Sequence, residues 1–215
     1  MPIVTMSKLI KVKDEEQKKA LNNWAKHKFS GSIIAGTGFG KSRCGVIAIG
    51  KTLDSTESGK GLVLVPTNQL QEQFKEEFIK WGYEHVLDRV DILCYASAYK
   101  LEDNHYSVVV CDEIHLGLSP EYRKFFENNT WDRLLCMTAT LPEDFEYKEL
   151  LFKMAPTVYK ISLDKCVELG LVSPYEIVCI PIELTEVEQE QYKKANNTFV
   201  YAKYCLGQFG AFDRA

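Results

Sequence analysis

A chain of 215 residues with 46% hydrophobic side chains can bury one large domain, or one domain with an appendage, and its composition is not that of a disordered chain. A net charge of −4 speaks against a dedicated nucleic-acid-binding module with a basic stripe, though not against a domain forming one wall of a nucleic-acid cleft. No apolar run approaches the roughly 18 residues of a membrane span, the basic residues 1–13 precede no secretory apolar stretch, and seven cysteines without a C-x-x-C pair fit a reducing compartment better than a disulfide framework or zinc site; the expectation is a soluble intracellular protein, cytoplasmic or nuclear, with no membrane partner.

Residues 14–28 are predicted to form a helix, with Asp14 as N-cap and Leu21 and Trp24 on its apolar face. Apolar runs at 32–35, 61–65, 91–95, 107–111, 133–137 and 158–161 follow, nearly continuous in Val, Ile and Leu, as in strands covered on both faces. Helical patterns lie between them. Leu70, Phe74, Phe78 and Trp81 make one apolar stripe, and Ser119-Pro120 opens a helix carrying Tyr122, Phe125 and Phe126. This alternation predicts an α/β fold with a mostly parallel, doubly wound sheet over residues 1–165. Residues 166–215 read as a linker and an appendage. Residues 176–182 form a further strand or extended linker, and Thr185-Glu186-Val187-Glu188 is a capping box opening a helix with Tyr192, Ala195, Phe199, Ala202 and Leu206 on one stripe.

Two segments carry chemistry. A triphosphate needs many donors close together, and glycines let backbone N–H groups curve around it at a helix N-terminus. The run Ala35-Gly36-Thr37-Gly38-Phe39-Gly40-Lys41-Ser42, between a strand and a helix, provides such a loop, a lysine for the outer phosphates and a hydroxyl for magnesium. Ala35 stands where the strict phosphate-loop pattern has glycine. Asp112-Glu113 ends the strand at 107–111, at the edge where α/β sheets bind ligands. Asp112 is suited to hold magnesium and Glu113 to take a proton from an attacking water. The base also separates this pattern from a phosphate-loop kinase, which must keep water from its phosphoryl group.

The set of motifs resembles the superfamily 2 helicases and translocases. Ala-x-Thr-Gly-x-Gly-Lys-Ser is that group's phosphate loop, and Asp112-Glu113-Ile114-His115 is similar to its DExH box. Met137-Thr138-Ala139-Thr140-Leu141-Pro142 resembles its motif III, and Val65-Pro66-Thr67 with Leu70 and Gln73 its motif Ia. Residues 14–195 carry the resemblance, which leans toward the DNA-repair, phage and restriction-subunit branch. It implies a RecA-like ATPase domain with ATP and Mg2+ as cofactors and DNA, ahead of RNA, as partner. By resemblance, Lys41, Asp112 and Glu113 are catalytic, Gly36, Thr37, Gly38, Phe39, Gly40, Lys41, Ser42 and Gln17 bind nucleotide, and Ser42 and Asp112 hold magnesium. His115, Thr138 and Thr140 couple nucleotide state to the nucleic-acid cleft, where Pro66, Thr67 and Ser97 contact the backbone. Gln17 falls at the family's adenine-reading glutamine, but Glu15 and Glu16 stand where that branch has an arginine and an aromatic.

These motors use two RecA-like domains, the second supplying an arginine finger. This sequence has five arginines and no finger motif, so a second domain, in the same chain or in trans, is expected. The competing readings are a motor subunit of a restriction or nuclease complex and a nucleotide-dependent protein-binding switch with little turnover.

Overall fold

The computed structural model describes residues 6–176, 178, 180 and 183–208. In chain order the elements are α1 (Met6–Lys26), β1 (Ser30–Ala35), α2 (Lys41–Asp54), β2 (Gly61–Val65), α3 (Asn68–Lys80), a 3-10 turn (Glu84–Arg89), β3 (Val90–Cys94), α4 (Tyr95–Ala98), β4 (His105–Tyr106), β5 (Val108–Cys111), α5 (Ile114–Gly117), α6 (Lys124–Asn128), β6 (Thr130–Trp131), β7 (Leu134–Thr138), α7 (Phe145–Met154), β8 (Thr157–Ile161), α8 (Leu163–Glu168) and α9 (Glu186–Gln208).

All six predicted strands join one sheet in the order β3-β2-β5-β7-β1-β8, and every pairing is parallel. The apolar runs are continuous because alternate residues serve opposite faces. Val63, Val65, Val108, Val110, Leu135 and Met137 enter one core, beneath α1, α2 and α3. Leu62, Leu64, Val109, Cys111, Leu134 and Cys136 enter the other, with Tyr95, Phe125 and Leu151. Helices on both faces make the sheet doubly wound, as expected from the strand composition. Polar anchors set the position of α1: Trp24 Nε1 donates to the Leu134 carbonyl at 2.8 Å and Asn23 Nδ2 to the Val158 carbonyl at 3.1 Å.

The strand order positions the site. The chain crosses from β1 over two positions to β2, so β7 ends between β1 and β5. The loops after β1, β5 and β7 therefore emerge side by side at the carboxyl edge of the sheet, the place where open α/β sheets take ligands.

Two local expectations are corrected. Helix α1 begins at Met6, so Asp14 lies inside it and is no N-cap; its carboxylate pairs with Arg43 instead. Ser119-Pro120 opens only a turn, with Ser119 Oγ accepting from the Tyr122 amide at 3.4 Å and Ser119 O from the Arg123 amide at 2.9 Å; the helix proper starts at Lys124. The stripe on α3 is as predicted: Phe74 and Phe78 are buried, and Leu70 and Trp81 pack against the same core, Trp81 as C-cap of the helix and partly exposed over Arg43.

The chain divides into two compact units. The first carries the sheet and runs to Ser173, apart from residues 144–146; within it Cys166 is buried and Leu169, Leu171 and Val172 pack on the core. The second carries α9, which starts at the expected capping box: Thr185 Oγ1 donates to Glu188 Oε2 at 2.8 Å and accepts from the Glu188 amide at 3.4 Å. Of the segment 176–182, residues 177, 179, 181 and 182 lie outside the described residues, as do the side chains of Ala202 and Leu206. No described helix is long and apolar enough to cross a membrane.

Candidate functional site

The loop after β1 turns twice through left-handed backbone, at Gly38 (φ 89°) and Gly40 (φ 88°). Gly40 is the N-cap of α2, so the first amides of that 14-residue helix face the loop. A β-carbon at Gly40 would stand 2.3 Å from Gln17 Nε2, which fixes the second reason for glycine there. Phe39 has no exposed surface and tilts against Tyr159, their ring centroids 5.6 Å apart. Its side chain thus anchors the loop from beneath.

A cavity of about 550 Å³ opens at this edge of the sheet, a size typical of small-molecule sites. Gln17, Gly36, Thr37, Gly38, Gly40, Lys41, Ser42, Asp112 and Glu113 all line it. Phe39 alone among the sequence-derived nucleotide and catalytic residues is not in its lining. Lys41 is buried, with Nζ donating to the Ala35 carbonyl at 3.0 Å and lying 3.6 Å from Glu113 Oε1.

Glu113 has left-handed backbone (φ 46°, ψ 54°), a strained conformation for a residue with a side chain and one that clusters at functional sites. Its Oε2 accepts from Thr138 Oγ1 at 3.1 Å and from the Ala139 amide at 3.4 Å. His115 Nδ1 is 2.9 Å from Thr138 Oγ1 and 3.5 Å from Glu113 Oε2. Thr138 Oγ1 also lies 2.8 Å from the Thr140 carbonyl and accepts from the Thr140 amide at 3.3 Å. The DExH segment and the Thr-Ala-Thr segment, 23 or more residues apart in sequence, thus form one hydrogen-bonded cluster. Thr140 takes part through its backbone.

Asp112 is 8% exposed. Burial, and then the adjacent Glu113 carboxylate, push its carboxyl from the ordinary 3.8 up to about 6, against the opposing pull of Lys41. A carboxyl raised in the folded state favours the protonated form there, so its ionisation costs stability above about pH 6 and the cost vanishes as pH falls to about 4. Asp112→Asn is therefore expected to stabilise the nucleotide-free protein by up to roughly 3 kcal/mol near neutral pH. Urea unfolding across that pH range checks this; a gain that persists on acidification would remove the buried charge as its source.

The Ser42 hydroxyl and the Asp112 carboxylate both line the cavity near the loop, as do Thr37 and Glu113. No group of three or more His, Cys, Asp or Glu side chains able to hold a metal occurs among the described residues. That donor set suits magnesium, which keeps several waters and takes its other oxygens from substrate phosphates.

Pro66, Thr67 and Ser97 lie outside the cavity. Pro66 is half-buried and Thr67 exposed at the end of β2, and Ser97 is exposed on α4 beyond β3. Two residues before Ser97, the buried Tyr95 donates through its hydroxyl to the Asp112 carbonyl at 2.9 Å, a link to the acidic pair that sequence reasoning did not foresee. Also missed were Ile10, Lys13, Asp14, Arg43, Glu77, Lys80 and Trp81, which extend the cavity wall. Arg43 directly follows the phosphate loop in sequence, and that adjacency was the available signal.

The DEAD/DEAH box helicase family model matches residues 14–104. No curated protein matches the chain. Among solved structures the fold resembles the Hef helicase domain from Pyrococcus furiosus, 17% identical with TM-score 0.55 over 92% of this chain and 49% of that one. It also resembles the UvsW helicase from bacteriophage T4 (14% identity, TM-score 0.52, 68% and 58% covered). A third likeness is to a nuclease-deletion mutant of the Type ISP restriction-modification enzyme LlaGI in complex with a DNA substrate mimic (16%, 0.52, 72% and 20%). At these identities the likeness is one of fold. The chain spans between a fifth and about three fifths of the length of these structures.

Proposed function

We propose that this chain is the ATP-binding motor domain of a superfamily 2 helicase or translocase, a reading supported by the match of the DEAD/DEAH box helicase family model to residues 14–104 and by the likeness of its fold to a helicase domain. It hydrolyses ATP to move on or remodel nucleic acid, DNA ahead of RNA, together with a second RecA-like domain. The observation that carries the reading is the single cavity that joins the glycine loop, Lys41 and Ser42 to Asp112 and Glu113.

In this reading the loop amides and the N-terminus of α2 hold the phosphates, and Lys41 exchanges its contact with the Ala35 carbonyl for the outer phosphates. Ser42 and Asp112 would hold magnesium, which when bound supplies positive charge beside the transferred group. Glu113 accepts the proton of the attacking water. Its Oε2 is fixed by Thr138 and Ala139, so a change at the base reaches the Thr-Ala-Thr loop and His115 directly. That linkage supports the coupling role of these residues. Pro66, Thr67 and Ser97 lie on the exposed carboxyl edge, where they would touch a nucleic-acid backbone without reading its sequence.

Calorimetry with Mg-ATP tests the reading. Lys41→Ala is expected to weaken binding by at least about tenfold, since it removes the buried cation that meets the phosphates. Equal affinities for the two proteins would overturn the phosphate-site assignment.

A further inference from the structure

The cavity continues past the phosphate loop to a wall that the phosphate chemistry does not use. Ile10, Lys13, Asp14 and Gln17, spaced along one face of α1, share it with Arg43 and Trp81. Trp81 is held in place by its own Nε1, which donates to Glu77 Oε2 at 2.6 Å. The Arg43 guanidinium carbon lies 4.0 Å from the Trp81 ring centroid. Arg43 Nη1 donates to Asp14 Oδ1 and, at 2.9 Å, to Gln17 Oε1. A guanidinium backed by an indole and pinned by a carboxylate and an amide cannot swing away. Arg43 Nε is buried and has no hydrogen-bond acceptor, so the polar set around this cation is incomplete. The Arg43 side chain is only 22% exposed, and it lines the cavity with what remains open.

Gln17 is occupied. Its Nε2 donates to the Phe39 carbonyl at 2.7 Å and the Gly40 carbonyl at 3.4 Å, and its Oε1 accepts from Arg43. Both of its N–H groups go to the phosphate loop, leaving little with which to read the edge of a base.

We propose that Arg43, backed by Trp81, is the platform on which the nucleotide base stacks, and that Gln17 is a positioning residue tying this platform to the phosphate loop. The proposal rests on the reading that the cavity holds a nucleoside triphosphate. Guanidinium and indole planes attract any heteroaromatic ring, purines most because of their area. Base recognition by stacking is tolerant of edge chemistry. ATP and GTP therefore bind within about fivefold of each other, and CTP binds more weakly than either.

Calorimetry on the full chain with the magnesium complexes of ATP, GTP, CTP and inorganic tripolyphosphate tests this. Arg43→Ala is expected to weaken ATP and GTP by about tenfold, the scale of one lost base stack, and to leave tripolyphosphate within about twofold. Arg43→Lys keeps the charge but not the plane and should behave like Arg43→Ala. Equal losses of ATP and tripolyphosphate in Arg43→Ala would mean that the arginine acts on the loop and would overturn the platform. A wild-type preference for ATP over GTP beyond about a hundredfold would overturn it without any variant, because the base edge would then be read. Failure of tripolyphosphate to bind the wild type would instead remove the nucleotide-site reading beneath it.

Discussion

Glu113→Gln is expected to bind ATP within a few fold of the wild type and to lose turnover by roughly 10²–10⁴. The amide has the size of the carboxylate and retains one oxygen to accept from Thr138 Oγ1 and the Ala139 amide, so the loop after β7 should keep its place. What disappears is the cavity-lining carboxylate that lies 3.6 Å from Lys41 Nζ. Asp112 is a poor substitute for the base: it is less exposed, and burial, the main cause of its raised carboxyl, still opposes its ionisation in the variant. The measurement is steady-state hydrolysis in a form supplied with a second RecA-like domain, with binding followed separately. Unchanged turnover would take Glu113 out of the mechanism.

The second large effect concerns the transition state. Phosphoryl transfer spreads negative charge over the transferred group, and an arginine reaching it contributes about 10³–10⁵ in rate. The described arginines are occupied elsewhere. Arg43 is held by Asp14, Gln17 and Trp81. Arg89 donates to the carbonyls of Thr56 and Leu53, Arg133 to Thr52 Oγ1, and Arg123 pairs with Glu127. Arg43 alone among them lines the cavity. The chain by itself is therefore expected to bind Mg-ATP yet hydrolyse it at a small fraction of the rate of a two-domain form. Under the proposed function nucleic acid should stimulate only the latter, where two domains can close on one nucleotide. Steady-state ATPase on both forms, with and without DNA, decides the matter. Comparable, DNA-stimulated rates from the chain alone would show that it completes its own site, for example by self-association.

Much of the fold was legible because its signals are local. Each of the six apolar runs became a strand of the one sheet, within one or two residues of the expected ends, since a buried parallel strand must be apolar at nearly every position. The capping box at Thr185 could be read from four consecutive residues. The helix starts at Asp14 and Ser119 were misjudged because a capping residue is permissive: Asp14 had a distant partner in Arg43, and Ser119 made only a turn.

By itself the sequence determined the α/β alternation, the glycines that turn left-handed before α2, and the acidic pair at the end of β5. Those features depend on residue type and near neighbours alone, through backbone freedom, pleat and strand length. Only the tertiary structure decided that β7 ends between β1 and β5, which brings Thr138 to Glu113 and Glu113 to Lys41. It also decided that Phe39 turns inward beneath its loop and that Trp81, at the end of its apolar stripe, covers Arg43. These contacts join residues tens of positions apart. They depend on how helices seat against the sheet, and no periodicity along the chain encodes that.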